Sequence, residues 1–305
     1  MATKKTTAEV FASADKKVEA AQARLASSPA PSKKVVAKKA PAAKKSSLPL
    51  WPDVVRGVPN AILRGALFGI STTREFHKTL TLISSVEGYE IRFKGESFNQ
   101  TDLDVWEMLL HLARLQPLGT EVEFSAHSLL KDLGRGTGGK DHEQLKNELM
   151  RLITGGVEIT WTKDKKAFAG ALVSGYFRDD ETGQYVVSFN PKMAKLYEAG
   201  HTLIDWSERK ALGKNNLAKW LHGQYASHAK PFPYKVETLR DMSGSIATVK
   251  DFKQKLKKAL DALKAIGSIL NWSIDDGDLV HVVRSPSGTQ RKYLALKKAT
   301  PKRKI

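Results

Sequence analysis

Lys250, Lys253, Gln254, Lys257 and Lys258 crowd into a short stretch near the end of the chain, and their types and spacing suit a polyanion. At helical spacing Lys250, Gln254, Lys257 and Lys258 share one face with Asp261, and Lys253 and Lys255 flank it. Ammonium groups pair with phosphates, and a carboxamide can meet the N6 and N7 edge of adenine. A second set has the same character. Lys140, Asn147 and Arg151 recur on one face of residues 140–154, and Lys163, Lys165, Lys166 and Arg178 fall at the tips of the strands that follow. Here Asn147, like Gln254, suits adenine, Arg151 suits guanine, and the other cations suit phosphates. The competing reading is an ordinary bundle helix with a solvated lysine face.

Bond-making chemistry finds little support. The chain has no cysteine, which excludes disulfides and thiol chemistry. Residues 134–140 read GRGTGGK, most of a phosphate-binding loop, but Asp141 stands where Mg²⁺ chemistry needs a hydroxyl. That loop also follows an expected helix instead of a strand. No His-x-His pair accompanies a tyrosine, and His222 and His228 sit on different faces of one helix, poorly placed as co-ligands. Asp179 and Asp180 lie in a turn. No catalytic residue, cofactor or metal is expected, and the chain is not read as an enzyme.

The elements that position these side chains follow from pattern. Residues 236–267 read as helix, turn, helix. The first helix ends near Met242, Ser243-Gly244-Ser245 turns the chain, and Thr248 caps the second helix. Phe252, Leu256, Ala259, Leu260, Leu263 and Ile266 form its apolar stripe. Residues 269–274 and 279–284 alternate as strands around the turn 275–278. Upstream, residues 79–83 and 89–93 read as paired strands across a turn at Glu87-Gly88. Thr101 is expected to cap a helix carrying Leu103, Trp106, Leu109, Leu110 and Ala113. A strand at 121–124, a small helix at 128–133, a helix at 141–154 and strands at 157–162, 168–177 and 184–189 complete a first unit. Helices followed by a basic hairpin are the winged-helix order, and the second unit repeats the plan with helices followed by a strand pair.

The reading is therefore α+β, two tandem winged-helix domains behind a disordered basic N-terminal tail. Residues 1–47 form the tail, 48–60 a docking or linker segment, 61–200 the first domain, 201–285 the second, and 286–305 a basic C-terminal tail. The N-terminal tail holds eleven Lys and Arg against three acids, with Phe11 its one aromatic, too little apolar surface to offset ordering. It is expected to hold phosphates without reading sequence, or to serve as a solubilising linker. The apolar and aromatic residues at 47–53 suggest either docking onto the folded body or a short peptide ligand, and SLPLW at 47–51 faintly resembles peptides that dock on the replicative sliding clamp.

A net charge of +18 over 305 residues favours nucleic acid, with an anionic membrane surface as competitor. No apolar run is long enough to span a bilayer and no signal-peptide core is seen, so a cytoplasmic location is expected.

Residues 50–60, LWPDVVRGVPN, followed by RGALF at 64–68, resemble the opening of the TrfA-type plasmid replication initiators. Pro117-Leu118-Gly119, residues 130–134 (LKDLG), 231–238 (PFPYKVET) and 276–281 (DGDLVH) agree in order. The resemblance covers about residues 50–284. It implies two winged-helix domains that bind short direct repeats (iterons) in double-stranded DNA at a plasmid origin in bacteria. It also implies opening of adjacent AT-rich DNA, recruitment of the host initiator and replicative helicase, and a monomer–dimer switch that limits copy number. A tandem winged-helix transcriptional repressor and a histone-like DNA-coating protein are the alternative readings.

Overall fold

The computed structural model describes residues 47–86, 88–117 and 120–299. The expected N-terminal tail lies outside them except for Ser47, as do Glu87, Leu118-Gly119 and residues 300–305 of the expected C-terminal tail.

The chain is a mixed helix-and-strand fold. In order it forms β1 (Val55–Pro59), α1 (Asn60–Leu63), β2 (Phe68–Gly69), β3 (Phe76–Ile83), β4 (Tyr89–Glu96), β5 (Phe98–Asn99) and α2 (Gln100–Ala113). Next come β6 (Val122–Ser125), α3 (Ala126–Asp132), α4 (Gly139–Thr154), β7 (Gly156–Trp161), β8 (Lys166–Gly170), β9 (Gly175–Asp179) and β10 (Gln184–Ser188). A 3-10 turn leads to α5 (Ala194–Glu198), β11 (His201–Asp205), α6 (Trp206–Ala211) and α7 (Asn216–Ala226). The last stretch is β12 (Tyr234–Lys235), α8 (Val236–Met242), α9 (Val249–Ala265), β13 (Asn271–Ile274), β14 (Leu279–Val283) and α10 (Gly288–Ala299).

Helix α2 is the spine of the larger core. Asn99, not Thr101, caps it: the Asn99 side chain accepts from the Thr101 backbone at 2.9 Å, and Asp102 accepts from the Asn99 backbone at 2.8 Å. This reciprocal capping box satisfies amides that would otherwise be orphaned. The helix is buried almost all round, with Trp106, Leu109 and Leu110 fully enclosed. The same core takes in a sheet in the order β3-β4-β7-β8, in which Ile91 pairs with Ile159 and Ile159 with Phe168, all facing the core.

Two short sheets share one plan. The order β6-β10-β9 in the first half matches β12-β14-β13 in the second, with all pairs antiparallel. Each follows a helix and encloses a helix pair in sequence. The difference is the β7–β8 hairpin, inserted after α4, which joins the other sheet. The strand expected over 168–177 is accordingly two. Between them Leu172 and Val173 are fully buried, and the Val173 amide donates to the Leu152 carbonyl at 3.2 Å, so the chain dips into the core where a continuous apolar run had looked like a strand.

Two hydrophobic cores result. The larger holds residues from Leu48 to Trp206 plus Ala226, and the smaller runs from Leu212 to Val280. Residues 201–211 therefore pack with the first core: β11 pairs with β1, and Ile204 and Trp206 point inward. The segment 48–60 is also built in. Trp51 stacks on Tyr197 at 6.0 Å and its indole N–H donates to His111 Nδ1 at 3.1 Å, with Leu48 buried beside it. Leu48 and Trp51 of the segment that resembled a clamp-binding peptide are thus spent inside, while Leu50 is exposed. Residues 288–299 form helix α10, not a tail; Gln290 on it donates to the Ala226 carbonyl at 2.8 Å.

The cores meet along a seam of buried charge. Asp104 on α2 accepts from Arg209 of α6 at 2.7 Å and from Lys219 of α7 at 2.6 Å. Burial works to raise the Asp104 carboxyl, but Arg209 and Lys219 together outweigh it and hold it below the usual range. One helical turn on, Glu107 lies 3.1 Å from Arg209 but accepts no hydrogen bond among the described residues. Burial, against the pull of Arg209 and with the repulsion of Asp104, pushes Glu107 up to about 7.

Glu107 thus binds a proton in the folded state over a range where the unfolded chain has already released it. Its contribution to stability is full at low pH and is lost as pH rises through 7. A Glu107→Gln chain lacks this titration, so it is expected to gain roughly 2 kcal/mol on the parent between pH 5 and 8. Urea midpoints at both pH values check this. A constant difference between the two chains would contradict it.

Candidate nucleic-acid interface

Helix α9 forms as its sequence requires. The Thr248 hydroxyl accepts from the Asp251 amide at 3.2 Å and donates to the Asp251 carboxylate at 2.8 Å, closing the first turn. Phe252, Leu256, Ala259, Leu260 and Leu263 are fully buried in the smaller core. Each such aliphatic or aromatic side chain contributes roughly 1.5–3 kcal/mol. That burial fixes the opposite face outward, and Lys250, Gln254, Lys257 and Lys258 are exposed with no side-chain partner among the described residues. Asp261, the acid on this face, accepts from the Trp272 indole at 3.1 Å.

Lys253 does not belong to the free row. It is half-buried and ion-paired with Asp278, which holds a left-handed conformation (φ 60°) in the β13–β14 turn. The turn is acidic: Asp275 is held low by a hydrogen bond from His281 at 2.9 Å, and Asp276 follows it.

On α4, Lys140 and Asn147 are exposed. Arg151 is the main correction. Its guanidinium lies 2.9 Å from Asp102 and 3.9 Å from Glu96, mostly out of solvent. Asp102 also holds Arg74 at 2.7 Å, so Arg151 braces α4 against the start of α2 and is not free to read guanine. Arg135 is similarly committed to Glu148 at 2.6 Å.

The expected basic hairpin divides in two. Lys163, Lys165 and Lys166 are exposed at the β7–β8 tip, and Lys165 takes a positive φ of 51° to turn it. Arg178 lies on β9 in the other sheet, bonded to Asp180 at 2.6 Å. The β9–β10 turn carries Asp179, Asp180 and Glu181, so the cations gather on the inserted hairpin alone.

The GRGTGGK stretch links α3 to α4. The Asp141 carboxylate fills it, accepting from the Gly138 amide at 3.2 Å, so the loop's interior is already occupied by an anion. The loop borders a cavity of about 560 Å³, shared with Lys210, Lys214, Arg209 and Lys219. Lys210, in the last turn of the short helix α6, and Lys214, in the loop after it, are exposed and were missed from sequence, because six residues are too few for a periodic pattern to mark a face.

Residues 4–284 match the family model described as TrfA protein. The plasmid replication initiator protein TrfA of Escherichia coli is 26% identical over 243 residues, a stretch covering 77% of this chain and 63% of that protein. The chain thus spans less than two thirds of that relative's length. Among solved structures, domains 2 and 3 of RctB are similar with a TM-score of 0.52 at 10% identity, over 73% of this chain and 98% of that one, a likeness of fold alone. With nearly the whole chain inside the family match, this protein belongs to the TrfA protein family.

Proposed function

We propose that the chain is a plasmid replication initiator that binds direct repeats at an origin through two tandem winged-helix domains. In this reading α4 and α9 are the recognition helices, each lying in the major groove, and the boundary between domains falls near residue 211. The carrying observation is the outer face of α9, where Lys250, Gln254, Lys257 and Lys258 stand exposed and unpaired above a fully packed core. The matching strand order of the two short sheets supports a duplicated unit, and family membership supports the initiator class.

The same reading includes bending or untwisting of the repeat DNA, melting of adjacent AT-rich sequence, recruitment of the host initiator and helicase, and a monomer–dimer equilibrium in the bacterial cytoplasm. It assigns phosphate contacts to Lys140 and to the β7–β8 tip, and base contacts to Gln254 and Asn147. It treats the chain as a binding protein and not an enzyme.

Gln254→Ala tests the reader assignment. Affinity for the cognate repeat should fall by about 1–3 kcal/mol while affinity for scrambled duplex stays as it was. Equal losses on both would remove Gln254 from the readers.

A further inference from the structure

We propose that Ile246 reads a thymine methyl group in the major groove, an assignment that rests on α9 being a recognition helix. Ile246 is 90% exposed, more than any other large apolar side chain among the described residues. It sits in the turn between α8 and α9, four residues before Lys250 and two before the cap.

The turn is held on every side. The Ile70 amide donates to the Ser243 carbonyl at 3.0 Å, and the Ser245 amide to the Arg240 carbonyl at 3.1 Å. The Ser243 hydroxyl donates to the Arg240 carbonyl at 2.8 Å, and the Ala247 amide to the Ser245 hydroxyl at 3.3 Å. Gly244 takes a φ of 68°, and a Cβ there would lie 3.4 Å from the Ala66 methyl, so the turn is pressed against the segment before β2. Ala247 and Val249 pack on the smaller core. Of the apolar residues in this run Ile246 is the exposed one, carried between neighbours on both sides that are hydrogen-bonded or packed.

A recognition helix enters the major groove with its N-terminal residues nearest the base edges. The C5-methyl of thymine is the apolar group displayed there, and a branched aliphatic side chain is its complement. Gln254, the proposed adenine reader, lies on the exposed face of the helix that begins three residues after Ile246.

The test uses the full chain and a duplex of the footprinted repeat, with each thymine replaced in turn by deoxyuridine, which removes only the methyl. For the parent, one such position should weaken binding about fourfold, the value of one buried methyl-sized group. Ile246→Ala should bind the intact repeat about fourfold more weakly and be indifferent to the methyl at that same position. It should keep the parent's melting temperature. Parent-like affinity of Ile246→Ala, or retained sensitivity at every position where the parent is sensitive, overturns the assignment while leaving repeat binding intact. A parent that shows no preference for any repeat overturns the proposed function, and this assignment with it.

Discussion

A chain carrying alanine at Lys250, Lys257 and Lys258 is expected to bind duplex DNA roughly 100-fold more weakly than its parent at about 0.15 M salt. Each lysine that neutralises a phosphate releases condensed counterions, and each contributes about 0.9 to the slope of log affinity against log salt. Removing three should flatten that slope by about 2.7, and the loss should shrink as salt is raised toward 1 M. The loss should fall equally on cognate and scrambled DNA, because phosphates carry no sequence information. All three side chains are exposed and touch nothing in the core, so the fold should be unaffected. Titrations across a salt series check all of this. An unchanged slope would mean that this face of α9 does not meet the backbone. Lys253→Ala serves as the contrast: its ammonium is already paired with Asp278, and its removal should change the slope far less.

Asp104→Ala should destabilise the folded chain by about 3–5 kcal/mol, a large share of the roughly 5–15 kcal/mol typical of a domain. The carboxylate holds Arg209 at 2.7 Å and Lys219 at 2.6 Å inside the seam between the two cores. Without it two buried cations face each other, and Glu107, 3.1 Å from Arg209, itself holds a proton until about pH 7. The cost is mainly the desolvation of charges left unpaired, so a second change that removes one of them should return part of it. Lys219→Met in the Asp104→Ala background should recover stability, and the coupling between the two sites should exceed about 1 kcal/mol. Urea denaturation of the four chains of that cycle gives the answer. A loss below about 1 kcal/mol for Asp104→Ala would mean that the seam charges are well solvated.

Local signals made α9 readable: one unbroken apolar stripe, a Thr cap and a Gly-bearing turn before it. An apolar stripe after a glycine-rich turn likewise found α4, and alternation around the turn 275–278 found the β13–β14 hairpin. What failed was long-range pairing. Arg151 has the type and spacing of a base reader, yet its partner Asp102 lies 49 residues earlier on another helix. Lys253 pairs with Asp278, 25 residues later, in a turn whose conformation no local pattern reveals. The apolar run from Phe168 to Phe177 looked like one strand because burial, and not pairing, set its composition. Trp51 was legible as sticky, docking on the folded body or serving as a peptide ligand, but its receiving residues His111 and Tyr197 were not, being distant in sequence. At residues 134–140 the sequence already set Asp141 against a phosphate loop, and the geometry shows its carboxylate turned back to the Gly138 amide. Electrostatic roles therefore transferred poorly from sequence, whereas amphipathic helices transferred well.

The most direct measurement is footprinting of the full chain on fragments of its own replicon, at low and near-physiological salt, with excess competitor DNA. Protection of evenly spaced direct repeats that survives the higher salt is the predicted result. Protection that spreads over every fragment and vanishes as salt rises would contradict it, and would leave a charge-driven DNA coat in place of a repeat reader.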